Sequence, residues 1–199
     1  MTEADDDLSL IAACRAGRPE SFGTLVKRYQ DRLYPTALRL TGRPEDALDL
    51  LQDAFLRAFV KLSGFHGESS FYTWIYAITV NLALSERRRK HPVRLRRAGE
   101  DESPEPVDHS PDCDPSSRIQ RIERDRVIQD ALNALAADHR AVLVMKEFDG
   151  FRYEEIAELL KVPVGTVRSR LHRARNELRD RLKGIIDELE PTRTASEKA

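Results

Sequence analysis

Seven basic side chains, Arg168, Arg170, Arg173, Arg175, Arg179, Arg181 and Lys183, alternate with Val164, Val167, Leu171, Ala174, Leu178 and Leu182 in one stretch. The apolar residues step by three and four, which predicts a helix from near 163–166 with one buried stripe. The guanidinium groups then cover the rest of its surface. Arginine donates paired hydrogen bonds to guanine edges and to phosphate oxygens, so nucleic acid is the ligand this chemistry suits. A basic helix alone is more often a solvated face. Here Tyr153–Leu160 predicts a shorter helix just before it, with Ile156, Ala157 and Leu160 at core spacing. Lys161-Val162-Pro163 interrupts the two, because proline breaks the hydrogen-bond ladder and disfavours helical dihedrals at Val162. A compact helix–turn–helix of this kind places the start of its second helix in the major groove.

A second constellation is acidic. Asp46, Asp49, Gln52 and Asp53 fall at three- and four-residue steps in a predicted helix 44–62, and so share one surface. Such a face can pair with a basic, polar partner helix and set its register. By itself it is more often an ordinary acidic helix face complementing the helix dipole. Clustered aspartates also suit a metal, but no histidine lies near them in sequence. A third candidate surface is the loop Ser63–Ser69, with Gly64 and Gly67, leading into a helix from about Ser70 to Arg89. In that helix Phe71, Trp74, Ile75, Ile78 and Leu82 are expected to face inward. Tyr72, Thr73, Tyr76, Thr79, Val80, Asn81 and Ser85 are expected towards solvent or the flanks.

These elements sit in a chain of 199 residues, 40% hydrophobic and 34% charged, which allows one or two domains. No alternating strand pattern stands out, so the expected fold class is all-α. No apolar run is long enough to span a membrane, and Glu3, Asp5, Asp6 and Asp7 are unlike a signal peptide. Cys14 and Cys113 lack any partner motif and fit reduced thiols in a cytoplasmic protein. The net charge of −1 conceals segregation. Arg87-Arg88-Arg89-Lys90 continues to Arg94, Arg96 and Arg97, and the second basic cluster is the helix above. Between them, GEDESPEPVDHSPDCDPSS (99–117) holds seven acids, four prolines and neither lysine nor arginine. That composition predicts an extended acidic linker. Predicted helices on either side are 6–16, 20–41 (kinked or broken by Pro35), 44–62 and 70–89, then 119–136 and 138–148, the last with Asp138 as N-cap and Gly150 past its end.

Three segments resemble the bacterial RNA polymerase sigma factors. DALDLLQDAFLRAF (46–59) is similar to their region 2.2, SSFYTWIYAITVNLALSERRR (69–89) to regions 2.3 and 2.4, and 139–183, with YEEIAELL and PVGTVRSRLHRAR, to region 4. With nothing but a short linker between, the layout looks like the extracytoplasmic-function (group 4) subfamily. The resemblance covers residues 8–183. It implies two small helical domains, a region 2 bundle at 5–95 and a region 4 helix–turn–helix at 118–185, joined by an acidic linker at 96–117 and followed by a polar tail at 186–199.

The resemblance further implies roles. Asp46, Asp49, Gln52 and Asp53 would bind core RNA polymerase at its β′ clamp, with the β flap as the other contact. Phe65, His66, Glu68, Ser69, Tyr76 and Asn81 would read the promoter −10 element, catching an extruded base, while Arg87 and Arg88 hold phosphates. Thr166, Arg168, Ser169, His172 and Arg173 would contact the −35 element, Thr166 through a phosphate at the helix start. Trp74 is expected in the core. Lys161 departs from the family, which often has glycine there, and His172 stands where bulky apolar or aromatic residues also occur. The expected function is promoter-specific initiation, controlled by an anti-sigma protein, in a protein monomeric when free and without membrane insertion. No catalytic residue, metal or other cofactor is implied. The rival readings are a response-regulator-like activator, which leaves 46–89 unexplained, and a metal-dependent nuclease built on the aspartates.

Overall fold

The structure, a computed structural model, describes residues 3–90 and 115–196, and the side chains of 6–85 and 123–183. Its helices are α1 (Glu3–Arg15), α2 (Glu20–Thr41), α3 (Pro44–Val60), α4 (Phe71–Lys90), α5 (Pro115–Asn133), α6 (Ala137–Leu143), α7 (Tyr153–Leu160) and α8 (Val164–Ser196). A 3-10 turn, Leu62–Gly64, follows α3, and a π-helical stretch, Val144–Phe148, extends α6. The chain divides into two compact units, one carrying α1–α4 and the other α5–α8 apart from residues 158–161. Among the described residues there is no strand, and no helix is long and apolar enough to cross a membrane. Linker residues 91–114, with Arg94, Arg96, Arg97 and Cys113, lie outside the described residues, as do the side chains of Arg87, Arg88, Arg89 and Lys90.

In the first unit α2 buries Phe22, Leu25, Tyr29, Leu33, Ala37 and Leu40 at three- and four-residue steps, with Val26 of the same side half-buried. The facing side of α3 buries Ala47, Ala54 and Ala58 between Leu50, Leu51 and Phe55. Small alanines let the two backbones approach while the larger side chains interlock. Phe71 at the start of α4 packs edge-on to Phe22 and Phe65, with ring centres 6.3 and 6.0 Å away. Proline does not break α2. Pro35 and the residue one turn back, Asp31, are both exposed, so the carbonyl freed by the missing N–H faces water and the helix runs on. The first turns of α1 are pinned by charge. Arg28 donates to Asp7 at 2.5 Å and to Asp6, and the Tyr29 hydroxyl also donates to the buried Asp7 carboxylate. These bonds, that to Asp6 foremost, push the Arg28 guanidinium above the usual arginine range.

The second unit is built on Ala131 and Leu132 of α5, and Leu135 just after it, against Val142, Leu143 and Met145. α5 begins at Pro115, four residues before the expected start, because proline suits the first helical position. Asp138 is not the N-cap of α6. Ala136 holds that place without a side-chain bond, and Asp138, inside the first turn, accepts a 2.8 Å ion pair from Arg170. Gly150 sits past the helix end at φ 76°, as expected. Arg140 is buried, and its Nη1 donates to Asn133 Oδ1 at 3.1 Å. The expected polar tail from 186 is helical through Ser196, as the end of α8.

Candidate nucleic-acid and polymerase interfaces

The turn between α7 and α8 sets the recognition helix. Glu155 reaches back to the Arg152 backbone N–H at 2.7 Å and to its guanidinium at 2.9 Å, which caps the start of α7. That pairing, through the Arg152 side chain first, holds the Glu155 carboxyl below the usual carboxylate range. At the other end Val162 N–H donates to Ala157 carbonyl oxygen at 3.0 Å and Lys161 N–H to Glu158 at 3.2 Å. This double closure needs a left-handed residue at 161, and Lys161 adopts it, with φ 55°. Among the described residues it is the one non-glycine with positive φ. The turn is therefore kept despite the lysine.

α8 then starts with Thr166 N–H bonded to Pro163 carbonyl oxygen at 2.9 Å, and Ser169 Oγ donates to Thr166 carbonyl oxygen at 3.0 Å. Val167, Leu171 and Ala174 are fully buried. Opposite them Arg168, Ser169, His172 and Arg173 are all exposed, at one-, three- and four-residue steps, and Thr166 is half-buried. The arginines divide into two classes. Arg170 is tied to Asp138 at 2.8 Å and Arg175 to Glu147 at 2.6 Å. The Glu147 hydrogen bond raises the Arg175 guanidinium further above its ordinary range. Arg168 and Arg173 have no acidic partner among the described residues. Asn176 Nδ2 lies 3.2 Å from His172 Nε2 and extends the same face by one turn. Sequence reasoning missed Asn176, although it stands four residues after His172.

In the first unit the loop after α3 presents His66, Glu68 and Ser69 to solvent. Phe65 is a correction: it is 4% exposed, its ring 5.2 Å from Trp74 and 6.0 Å from Phe71, and so is core rather than an open pocket wall. Tyr76 is likewise fully buried beside Tyr72, not on the surface. Thr79 and Val80 are buried too, because α4 packs against both α2 and α3 and exposes less of its circumference than one apolar stripe implies. The Thr79 hydroxyl satisfies itself on Ile75 carbonyl oxygen at 3.0 Å. Trp74 is half-buried within the aromatic cluster. Asn81 is exposed, with Nδ2 donating to Ala77 carbonyl oxygen at 2.8 Å, so its amide oxygen points away from the helix ladder. Ser70 Oγ accepts Thr73 N–H at 3.0 Å and caps α4.

On α3, Asp49, Gln52 and Asp53 are exposed and Asp46 half-buried. Composition had drawn attention to the acids alone. The structure adds Leu48, Leu56 and Val60, exposed by 59, 60 and 73%, beside them. At three- and four-residue steps these exposed aliphatic side chains share the side of the helix that carries the carboxylates. Asp46 and Asp53 lie about 10 Å apart along the axis at helical rise, too far to share one ion.

Known protein families match both units of the chain. The Sigma-70 region 2 family matches residues 25–92, and Sigma-70, region 4 matches residues 125–178. The ECF RNA polymerase sigma-E factor of Haemophilus influenzae is 33% identical over 190 residues, covering 94% of this chain and all of that one. The chain belongs to the ECF RNA polymerase sigma factors. This sigma factor is also 32% identical over 179 residues to SigW of Bacillus subtilis, covering 88% of this chain and 96% of that one. Its fold is similar to the sigma factor RpoE in complex with the anti-sigma factor NepR from Bartonella quintana (TM-score 0.60, 27% identity, 82% of this chain and 98% of that one). A second similar structure is CnrH in complex with the cytosolic domain of CnrY (TM-score 0.59, 28% identity, 90% and 98%). Sigma factors direct RNA polymerase to promoters and are initiation factors rather than enzymes, so the activator and nuclease readings give way.

Proposed function

We propose that this sigma factor divides its work among three surfaces. The face of α3 with Asp49, Gln52 and Asp53, and Asp46 at its edge, docks on core polymerase, its exposed Leu48, Leu56 and Val60 supplying apolar contact. His66, Glu68 and Ser69 of the loop, with Asn81 of α4, read the −10 element as single strand; Arg87 and Arg88 carry phosphates. Phe65 and Tyr76 support that surface from beneath. Arg168, Ser169, His172 and Arg173 read the −35 element, and Thr166 at the helix start holds a phosphate. The domains are 5–95 and 118–185, tethered by 96–117, with 186–199 as the end segment. The protein acts in the cytoplasm, is monomeric when free, performs no catalysis and needs no metal or other cofactor. An anti-sigma factor, the kind of protein that RpoE is in complex with in that similar structure, regulates it, and it does so by covering the polymerase- or DNA-binding faces.

The observation that carries this reading is the exposed Arg168–Arg173 face, opposite a fully buried stripe, on the second helix of a helix–turn–helix. Run-off transcription with core polymerase of the source organism, on a genomic promoter library with and without the protein, tests it. Discrete transcripts that need the protein, with common elements upstream of their starts, are expected. Binding to duplex DNA without any initiation would overturn it.

A further inference from the structure

The loop that leads to the −10 surface is held from outside itself. Between α3 and α4 its one regular piece among the described residues is the 3-10 turn Leu62–Gly64. Three carbonyl oxygens of this segment turn towards a single side chain, Arg15, at the end of α1. Arg15 Nη2 donates to Leu62 carbonyl oxygen at 2.6 Å and to Ser63 at 3.4 Å, and Nε donates to Leu62 at 3.2 Å. Nη2 also donates to Phe65 carbonyl oxygen. The planar fork of a guanidinium can serve several acceptors at once, whereas a lysine ammonium offers one point. His66, an exposed side chain of the loop, follows directly after the last carbonyl that Arg15 holds.

α1 touches the loop a second time. Leu8, two turns before Arg15 on the same face, lies 3.7 Å from where a Cβ on Gly67 would stand. The first turns of α1 are in turn fixed to α2 through Asp6, Asp7, Arg28 and Tyr29. The side chains of Leu62 and Phe65 are each 4% exposed, so the loop is anchored inward by apolar burial and outward by Arg15.

We propose that Arg15 is a positioning residue for −10 recognition: its guanidinium gathers the Leu62, Ser63 and Phe65 carbonyls and sets His66, Glu68 and Ser69 in their binding geometry before single-stranded DNA arrives. This rests on the assignment of that loop to the −10 element. A preordered loop loses less conformational freedom on binding, and the gain applies to the cognate strand that uses the ordered side chains. A direct phosphate contact by Arg15 would instead act on every sequence and weaken with salt.

The test uses full-length protein assembled with core polymerase, and fork-junction DNA carrying either the cognate or a scrambled −10 strand, titrated across salt. Arg15→Ala should weaken binding of the cognate strand about tenfold by releasing the loop, with scrambled-strand binding, salt slope and core affinity unchanged. Arg15→Lys should recover only part of that loss. Equal loss on both strands, with a salt slope smaller by about one, makes Arg15 a phosphate contact and overturns the proposal. Full recovery by Arg15→Lys also overturns it, since charge alone would then suffice. If Arg15→Ala is neutral while His66→Ala, Glu68→Ala or Asn81→Ala weakens cognate binding, positioning fails and the −10 assignment stands. If all four are neutral, the −10 assignment itself fails and takes the proposal with it.

Discussion

At the scale of single residues, what separates a DNA-reading arginine from a structural one is its partner within the fold. Arg175 is occupied by Glu147 and Arg170 by Asp138, while Arg168 and Arg173 face solvent from the exposed side of α8. A free guanidinium carries no intramolecular bond that must be broken before it meets a base edge. Arg173→Ala should therefore cost about 1–3 kcal/mol at a specific −35 site if it reads a base, measured by duplex titration against a site altered at one position. Arg175→Ala should change cognate affinity far less, and its exposed pair contributes below about 1 kcal/mol to folding. If Arg175→Ala proved the more damaging, the division into free and paired arginines would be wrong. Sequence spacing placed all seven basic residues on one helix but could not sort them. The sorting depends on acids 28 and 32 residues away, Glu147 and Asp138, whose approach only the fold decides.

At the scale of elements, periodicity and breakers located the helices well, because apolar stripes with steps of three and four dominate this chain. The failures have local causes. Pro35 was expected to interrupt α2, yet the carbonyl it orphans is exposed and the buried stripe on both sides holds the helix together. Pro35→Ala should restore that bond and raise stability by about 2 kcal/mol, read as the denaturation midpoint of the full chain. Tyr76 was assigned to the surface because a single stripe was assumed for α4, while two neighbouring helices cover it, and Phe65, named from the loop by resemblance, packs inward on Phe71 and Trp74. Lys161 is a different kind of local conflict. Its left-handed backbone costs a residue with a Cβ about 1 kcal/mol or more, and glycine avoids that cost while losing part of it in the unfolded chain. Lys161→Gly should leave the turn in place and raise stability by up to about 1 kcal/mol; a loss would show that the lysine side chain makes a contact of its own.

At the scale of the whole molecule, a net charge of −1 says little, because acids and bases are assigned to different surfaces. Basic groups gather on α8 and at the end of α4, while Asp49 and Asp53 stand on α3 beside exposed Leu48, Leu56 and Val60. Composition made the charged half of the α3 face legible. The apolar half was not, since leucines in an amphipathic helix are assigned to the core until packing leaves them outside. Such a face gains affinity from buried aliphatic area and register from its charges. Asp53→Ala should then weaken binding to core polymerase by several-fold, mainly through a slower association at low salt, while −35 duplex affinity through Arg168 and Arg173 stays unchanged. Leu56→Ser should weaken the same complex with little dependence on salt, because it removes apolar contact instead of charge. Surface plasmon resonance with immobilised core polymerase at two ionic strengths separates the two effects. Loss of polymerase and duplex binding together in Asp53→Ala would mean that the substitution unfolds the chain, whereas polymerase binding unchanged in both Asp53→Ala and Leu56→Ser would withdraw the docking assignment for α3.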